Sequence, residues 1–121
     1  ARLLYLDFTP LSEQKVFFTT DSDRLSRSAR RVLEAIARDY RKQRDFRIVL
    51  GGHADERGES DYNMDLSRRR SAMVARYLGS RGVPRRAIES RYFGETYPEN
   101  PESNQQAWSR NRRVTVWLAS K

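Results

Sequence analysis

Residues 46–63 read FRIVLGGHADERGESDYN, and the order of residue types in this stretch decides the architecture. Phe46 to Leu50 is a short apolar run of the kind that forms a strand. Gly51 to Asp61 follows as a loop dense in glycine and charge. A helix then begins near Asp61–Asn63, with Leu66, Met73, Val74, Tyr77 and Leu78 returning on one side, and runs to about Ser80. Gly82 suits the position just past a helix end, and Pro84 forbids continuation. A strand that passes through a loop into an amphipathic helix predicts a crossover packed on a sheet.

The same alternation extends in both directions. Upstream, Leu25, Ala29, Val32, Leu33, Ile36, Ala37 and Tyr40 have helical spacing, with Ser26 as N-cap. Thr19 to Arg24 is polar and turn-rich, and Lys15 to Phe18 (KVFF) reads as a strand. Residues 1–14 read as an amino-terminal arm or linker interrupted by Pro10, with Leu3 to Phe8 as a short strand or a dangling arm. Residues 15–121 read as one domain. Downstream, Ile88 to Phe93 and Val114 to Leu118 are strands. The polar connection between them predicts a short helix around Glu102 to Trp108. The expected fold is α/β (α+β): a two-layer sandwich of order β-α-β-α-β-(α)-β, with the helices on one face of a mixed sheet.

A chain of 121 residues suits a single domain. Its 24 basic residues, 21 of them arginine, outweigh 16 acids to give a net charge of +8. Such a balance raises nucleic acid, an anionic membrane or an anionic polymer as partners. The arginines are interleaved with acids and never run beyond three, which reads as solvated helix faces rather than a basic stripe. The absence of cysteine excludes disulfides, a thiol nucleophile and thiolate metal sites. No apolar run approaches the roughly 18 residues of a membrane-spanning helix. No leader pattern is present, so export is expected to depend on a leader outside this chain.

The charged loop sits where α/β folds place ligands, at the carboxyl end of a strand. On a helical wheel at about 100° per residue, the apolar stripe of the following helix has Arg70 at its centre, while Arg68, Arg69 and Arg76 point outward or flank it. A guanidinium facing a core requires a partner, because an unpaired buried charge costs several kcal/mol. Asp55 is the nearest carboxylate in chain order. Two readings follow: a buried Arg70–Asp55 salt bridge tying loop to helix, or a clamp in which Asp55 takes an ammonium and Arg70 a carboxylate. The second describes an amino-acid end group.

Other chemistry is weaker. His53 with Asp55 and Glu56 is a poor zinc signal, since catalytic zinc wants more histidine or cysteine. With one histidine and no Gly-x-Ser-x-Gly motif, no catalytic set stands out. His53 reads as a structural residue. No catalytic residue, metal or cofactor is expected.

Several ordered motifs carry a family resemblance. They are GHADERG (52–58), Tyr62-Asn63, Leu66-Ser67, Arg69-Arg70, Tyr77-Leu78, Gly82-Val83, Tyr92-Phe93-Gly94-Glu95 with Pro98, and Asn111-Arg112-Arg113-Val114. Over roughly Val16 to Leu118 the chain resembles the OmpA-like peptidoglycan-binding domain, closest to its peptidoglycan-associated lipoprotein branch. The resemblance implies non-covalent binding of the peptidoglycan stem peptide, with Asp55 and Arg70 gripping meso-diaminopimelate. It also implies that Asn63 orients the loop or touches the ligand, and that Arg112 or Arg113 supports the site wall. Gly52, His53, Gly58 and Leu66 are the expected structural support. Many members have Phe-Asp after the first strand. Here Thr19, Thr20 and Asp21 follow Phe18, so Thr19 and Asp21 become the candidate contacts. The implied setting is the periplasm of a Gram-negative envelope, tethering the outer membrane to the wall through an anchor outside this chain, with the β-propeller protein TolB as a second partner. A basic nucleic-acid-binding domain and a wall hydrolase are the alternatives. Neither nucleic-acid binding nor enzymatic activity is expected.

Overall fold

The computed structural model describes residues 6–121. Its elements are β1 (Ser12–Phe17), α1 (Arg27–Lys42), β2 (Phe46–Gly52), α2 (Ser60–Ser80), a 3-10 turn (Arg85–Ala87), β3 (Ile88–Tyr92), α3 (Gln105–Asn111) and β4 (Arg113–Ser120). The four strands form one sheet in the order β1-β4-β2-β3. β4 runs antiparallel to both β1 and β2, whereas β2 and β3 are parallel and joined through α2. The sheet is therefore mixed, as expected: β1-α1-β2 and β2-α2-β3 are both parallel crossovers, and β4 lies antiparallel between β1 and β2.

Alternation along the strands separates the two faces of the sheet. Ile48, Leu50, Val114 and Val116 point into the main core, where they meet Leu33, Ile36 and Tyr40 of α1 and Val74 and Leu78 of α2. Val49, Trp117 and Ala119 point to the opposite face. That face is covered by the amino-terminal segment: Leu6 and Phe8 pack on it, with the Phe8 ring edge-on to Trp117 at 6.1 Å. The guanidiniums of Arg47 and Arg91 lie 5.3 Å from the Phe8 ring.

The amino-terminal part is more ordered than the sequence reading. Ser12, Glu13 and Gln14, expected in the arm, pair with Leu118, Trp117 and Val116, and the Leu11 amide donates to the Leu118 carbonyl at 2.7 Å. Of the expected strand over Leu3 to Phe8, Leu3, Leu4 and Tyr5 lie outside the described residues, and residues 6–8 are not strand. The short carboxy-terminal helix starts later than expected, because the Asn104 side chain caps it by accepting from the Ala107 amide at 2.8 Å. Ser26 caps α1 as expected, accepting from the Ala29 amide at 3.0 Å.

α2 lies unusually close to β2. A Cβ on Gly52 would fall 2.1 Å from the Ser67 carbonyl oxygen and 2.7 Å from Ser71 Oγ. Small residues on both sides let the backbones approach. Ser71 Oγ donates to the Arg91 carbonyl at 2.8 Å, and the Gly94 amide donates to Ser67 Oγ at 2.9 Å. The buried face of α2 contains Asn63, Leu66, Ser67, Arg70, Ser71, Val74 and Leu78. It is rotated from the purely apolar stripe toward these serines and leaves Met73 and Tyr77 half-buried at its margin.

Two glycine substitutions test this packing. Gly52→Ala should destabilise the domain by about 3 kcal/mol or more in urea unfolding, because the new methyl group meets backbone that cannot retreat. Gly79→Ala has nothing within 4 Å of the added methyl and should stabilise by about 0.5–1 kcal/mol through helix propensity. Equal effects of the two changes would contradict the close α2–β2 approach.

Candidate functional site

The carboxyl end of β2 is fixed on both sides. The His53 amide donates to the Arg113 carbonyl at 2.9 Å, and the Ala54 amide to the Gly94 carbonyl at 2.8 Å. The loop from Asp55 to Glu59 then turns toward α2, with Gly58 at φ 89°. Beneath this loop is a cavity of about 230 Å³ lined by Thr20, Asp21, Ala54, Asp55, Arg57, Gly58, Tyr62, Asn63, Leu66 and Arg70. It is smaller than the roughly 300–1,000 Å³ of drug-sized sites, so it suits an end group rather than a whole molecule.

Arg70 forms the floor and has no exposure to bulk solvent. Its partners differ from the expected carboxylate. Nε donates to the Ser22 carbonyl at 2.8 Å, Nη1 to the His53 carbonyl at 2.9 Å and Nη2 to the Thr19 carbonyl at 3.1 Å. No ion pair joins Arg70 to Asp55 among the described residues. The internal salt bridge, one of the two readings of the sequence, is not formed, and three converging carbonyl dipoles solvate the cation without neutralising it. Burial, followed by the neighbouring Arg112 charge, pushes its pKa down to about 10, and the Asp55 charge opposes this. Arg70 remains a cation at neutral pH, with N–H groups on Nη1 and Nη2 still uncommitted.

Asp55 is held by arginines the sequence reading had given other roles or none. Arg57 grips it with Nε to Oδ1 at 3.1 Å, Nη2 to Oδ2 at 2.8 Å and its backbone amide to Oδ1 at 3.0 Å. Arg112 Nη1 approaches Oδ2 at 3.5 Å. Burial alone would raise the Asp55 pKa, but the Arg57 and Arg112 donors outweigh it and hold the carboxyl below its ordinary value. Arg57 is itself stacked on Trp108, its guanidinium carbon 4.3 Å from the ring centre. Glu56 fixes Trp108 by accepting from the indole N–H at 2.9 Å.

The remaining candidates separate into distinct places. Asn63 donates to the Arg57 carbonyl at 2.9 Å and to Glu95 Oε1 at 2.6 Å, which ties the loop to α2. Leu66 is buried in the cavity floor. Asp21 adopts φ 55° and accepts from the Tyr62 hydroxyl at 3.3 Å. Thr19 contributes its carbonyl to Arg70, but it is Thr20 that lines the cavity, where its hydroxyl accepts from Arg57 Nη2 at 3.2 Å. Arg112 faces the site and donates from Nε to the Phe18 carbonyl at 2.9 Å. Arg113 turns away toward Thr115, Tyr97 and Glu99. Gly52 serves the α2 contact rather than the cavity. Thr20, Ala54, Arg57 and Tyr62 are the lining residues the sequence reading missed. Of these, the Asp-x-Arg spacing was readable as an Asx turn.

His53 is buried against Phe93, with ring centres 5.3 Å apart. Burial first, and the Arg113 charge second, push its pKa down to about 2. A group with that pKa takes no proton near neutrality, so His53 is not a general base. The unfolded chain protonates this histidine below about pH 6.5 while the folded chain does not, so stability is lost as pH falls. Stability from urea unfolding should drop by about 2 kcal/mol between pH 6.5 and 5, since this is the sole histidine. His53→Gln should remove that slope, and an unchanged slope in the variant would assign it elsewhere.

Comparison with known proteins adds to this geometry. The OmpA family model matches residues 17–112. The chain is 39% identical over 112 residues to the peptidoglycan-associated lipoprotein of Rhizobium meliloti (strain 1021), covering 93% of this chain and 64% of that protein. It is 40% identical over 100 residues to the protein of the same name from Pseudomonas putida, covering 83% of this chain and 60% of that one. It thus spans less than two thirds of the length of these relatives. The crystal structure of the peptidoglycan-associated lipoprotein from Burkholderia pseudomallei superposes with a TM-score of 0.83 at 28% identity, over 86% of this chain and 88% of that chain. The C-terminal domain of Helicobacter pylori MotB shares the fold, with a TM-score of 0.81 at 21% identity over 89% of this chain and 85% of that one.

Proposed function

This chain belongs to the OmpA family, and we propose that it binds peptidoglycan non-covalently through the cavity between Asp55 and Arg70, taking the amino-acid end group of a meso-diaminopimelate stem. It is a binding module and not an enzyme. The observation that carries the proposal is the juxtaposition of a buried, uncompensated guanidinium and a carboxylate around one small cavity. An α-amino-acid end group has the matching charges.

The two halves of the clamp work differently. Arg70 is held by three carbonyls and cannot swing, so its remaining N–H groups are preorganised for a ligand carboxylate. The Asp55 carboxylate already accepts from both Arg57 and Arg112, which leaves it little spare capacity. An incoming ammonium therefore exchanges with a guanidinium. Arg57 is the one to yield, because its side chain is 36% exposed while that of Arg112 is 14% exposed.

Names such as peptidoglycan-associated lipoprotein among the relatives support a periplasmic location and a role tethering the outer membrane to the wall. By the same resemblance, its proposed second partner is TolB.

Asp55→Ala should abolish pull-down on purified sacculi, since removing one partner of a hydrogen-bonded charge pair costs about 2–5 kcal/mol. Arg70→Ala and Arg70→Lys should also bind poorly, since neither can fork onto a carboxylate. Because Arg70 also holds three carbonyls, the unmodified protein offers the cleaner test. Titration with diaminopimelate-type, lysine-type and amidated stem peptides should rank the first about 30- to 150-fold tighter, the value of one charge-assisted pair of about 2–3 kcal/mol. Equal affinity for all three would refute the clamp.

A further inference from the structure

The cavity uses few of the arginines, and half of the net charge lies elsewhere. α1 carries six cations and two acids in sixteen residues, half of the chain's net +8. At about 100° per residue, Arg27, Arg31 and Arg38 fall within about 40° of one another, and Arg30, Arg41 and Lys42 flank them within about 80°. This strip is opposite the face that buries Leu33, Ile36 and Tyr40. It is exposed along the helix, a length of about 24 Å.

The middle of the strip is not neutralised within the domain. Among the described residues, Arg27, Arg31 and Arg38 take part in no ion pair. Glu34 is the one carboxylate on this side, and it is shared by Arg81 at 2.9 Å and Arg41 at 3.5 Å. Asp39 lies about 100° round the helix from Arg38. Part of the arrangement also works against the helix itself. Arg27 and Arg31 are like charges four apart, as are Arg38 and Lys42. The first turn holds no acid, so its cations oppose the helix dipole. Arg41 and Lys42 in the last turn suit the dipole, but Arg27, Arg31 and Arg38 have no ion-pair partner among the described residues, which leaves their charge for a partner outside the domain.

We propose that this face of α1 docks on an anionic phospholipid surface. Guanidinium forks match phosphate geometry, and a straight exposed strip suits a plane of fixed anions. No exposed aromatic residue lies on α1 to stack against bases, as single-stranded nucleic acid requires. The choice of membrane rests on the proposed role beside the outer membrane. No residue of α1 lines the cavity.

Co-sedimentation of the whole chain with phosphatidylcholine vesicles, with and without phosphatidylglycerol, tests this directly. Binding should require phosphatidylglycerol and weaken with salt. Each arginine near such a surface contributes about fivefold in partition, so R27Q/R31Q/R38Q should bind about 100-fold less. The corresponding triple lysine variant should keep most of the binding. Asp55→Ala should bind vesicles like the unmodified chain, and the triple glutamine variant should still sediment with sacculi. Absent vesicle binding, equal binding by the glutamine variant, or preferential binding to duplex or single-stranded DNA in competition would overturn the proposal. Vesicle failure with intact sacculus binding overturns this inference alone, whereas sacculus failure with intact vesicle binding overturns only the wall reading.

Discussion

The guanidinium of Arg70 is the constraint around which the site end of the domain is organised. It enters the core from α2 and donates to carbonyls on two separate segments, Thr19 and Ser22 before α1 and His53 after β2. Removing this cation from water costs several kcal/mol, and three hydrogen bonds from a charged donor return about 1.5–3 kcal/mol each. The balance is near even, so its larger effect is positional. Three carbonyls that would otherwise point at random are turned toward one point, and the segments carrying them become the walls of a cavity. Lysine could not do this, because a single ammonium cannot address three directions in one plane.

This arrangement depends on how closely α2 approaches the sheet. Gly52, Ser67 and Ser71 remove side-chain bulk at the crossing point, which brings the helix low enough for Arg70 to reach past β2. The hydroxyls left at the interface are used rather than wasted, since Ser67 and Ser71 bond to the Gly94 amide and the Arg91 carbonyl. Packing and polar satisfaction are thus solved by the same residues, as a buried polar contact requires.

Much of this was legible in the sequence. Strand and helix periods gave the alternation, because each element buries one face and the pattern records which. Arg70 stood out on the wheel as a charge among apolar residues, and burial followed. Its partners did not follow, since a backbone carbonyl has no residue identity for a sequence to display. The engagement of Asp55 by Arg57 did not follow either, for a related reason. The wheel orients residues within a helix, whereas Arg57 reaches Asp55 through a local loop closure two residues long. The covering of Trp117 by Leu6 and Phe8 was invisible because it joins the two ends of the chain, and no local period marks it. The rotation of the α2 face toward its serines was missed by counting apolar residues alone.

Range separates the two uses of positive charge. In the proposed clamp the cavity acts by contact: Arg70 is buried, its bonds are direct, and mobile ions do not reach between it and a seated carboxylate. The proposed α1 docking face acts through solvent, where the field decays over about 8 Å at physiological ionic strength. A domain carrying both can hold one partner by geometry and another by charge density, without either interfering. The interleaved acids elsewhere support this division. Asp65, for example, engages Arg68 and Arg69 on the exposed side of α2, so positive charge is quenched there and left unquenched along α1.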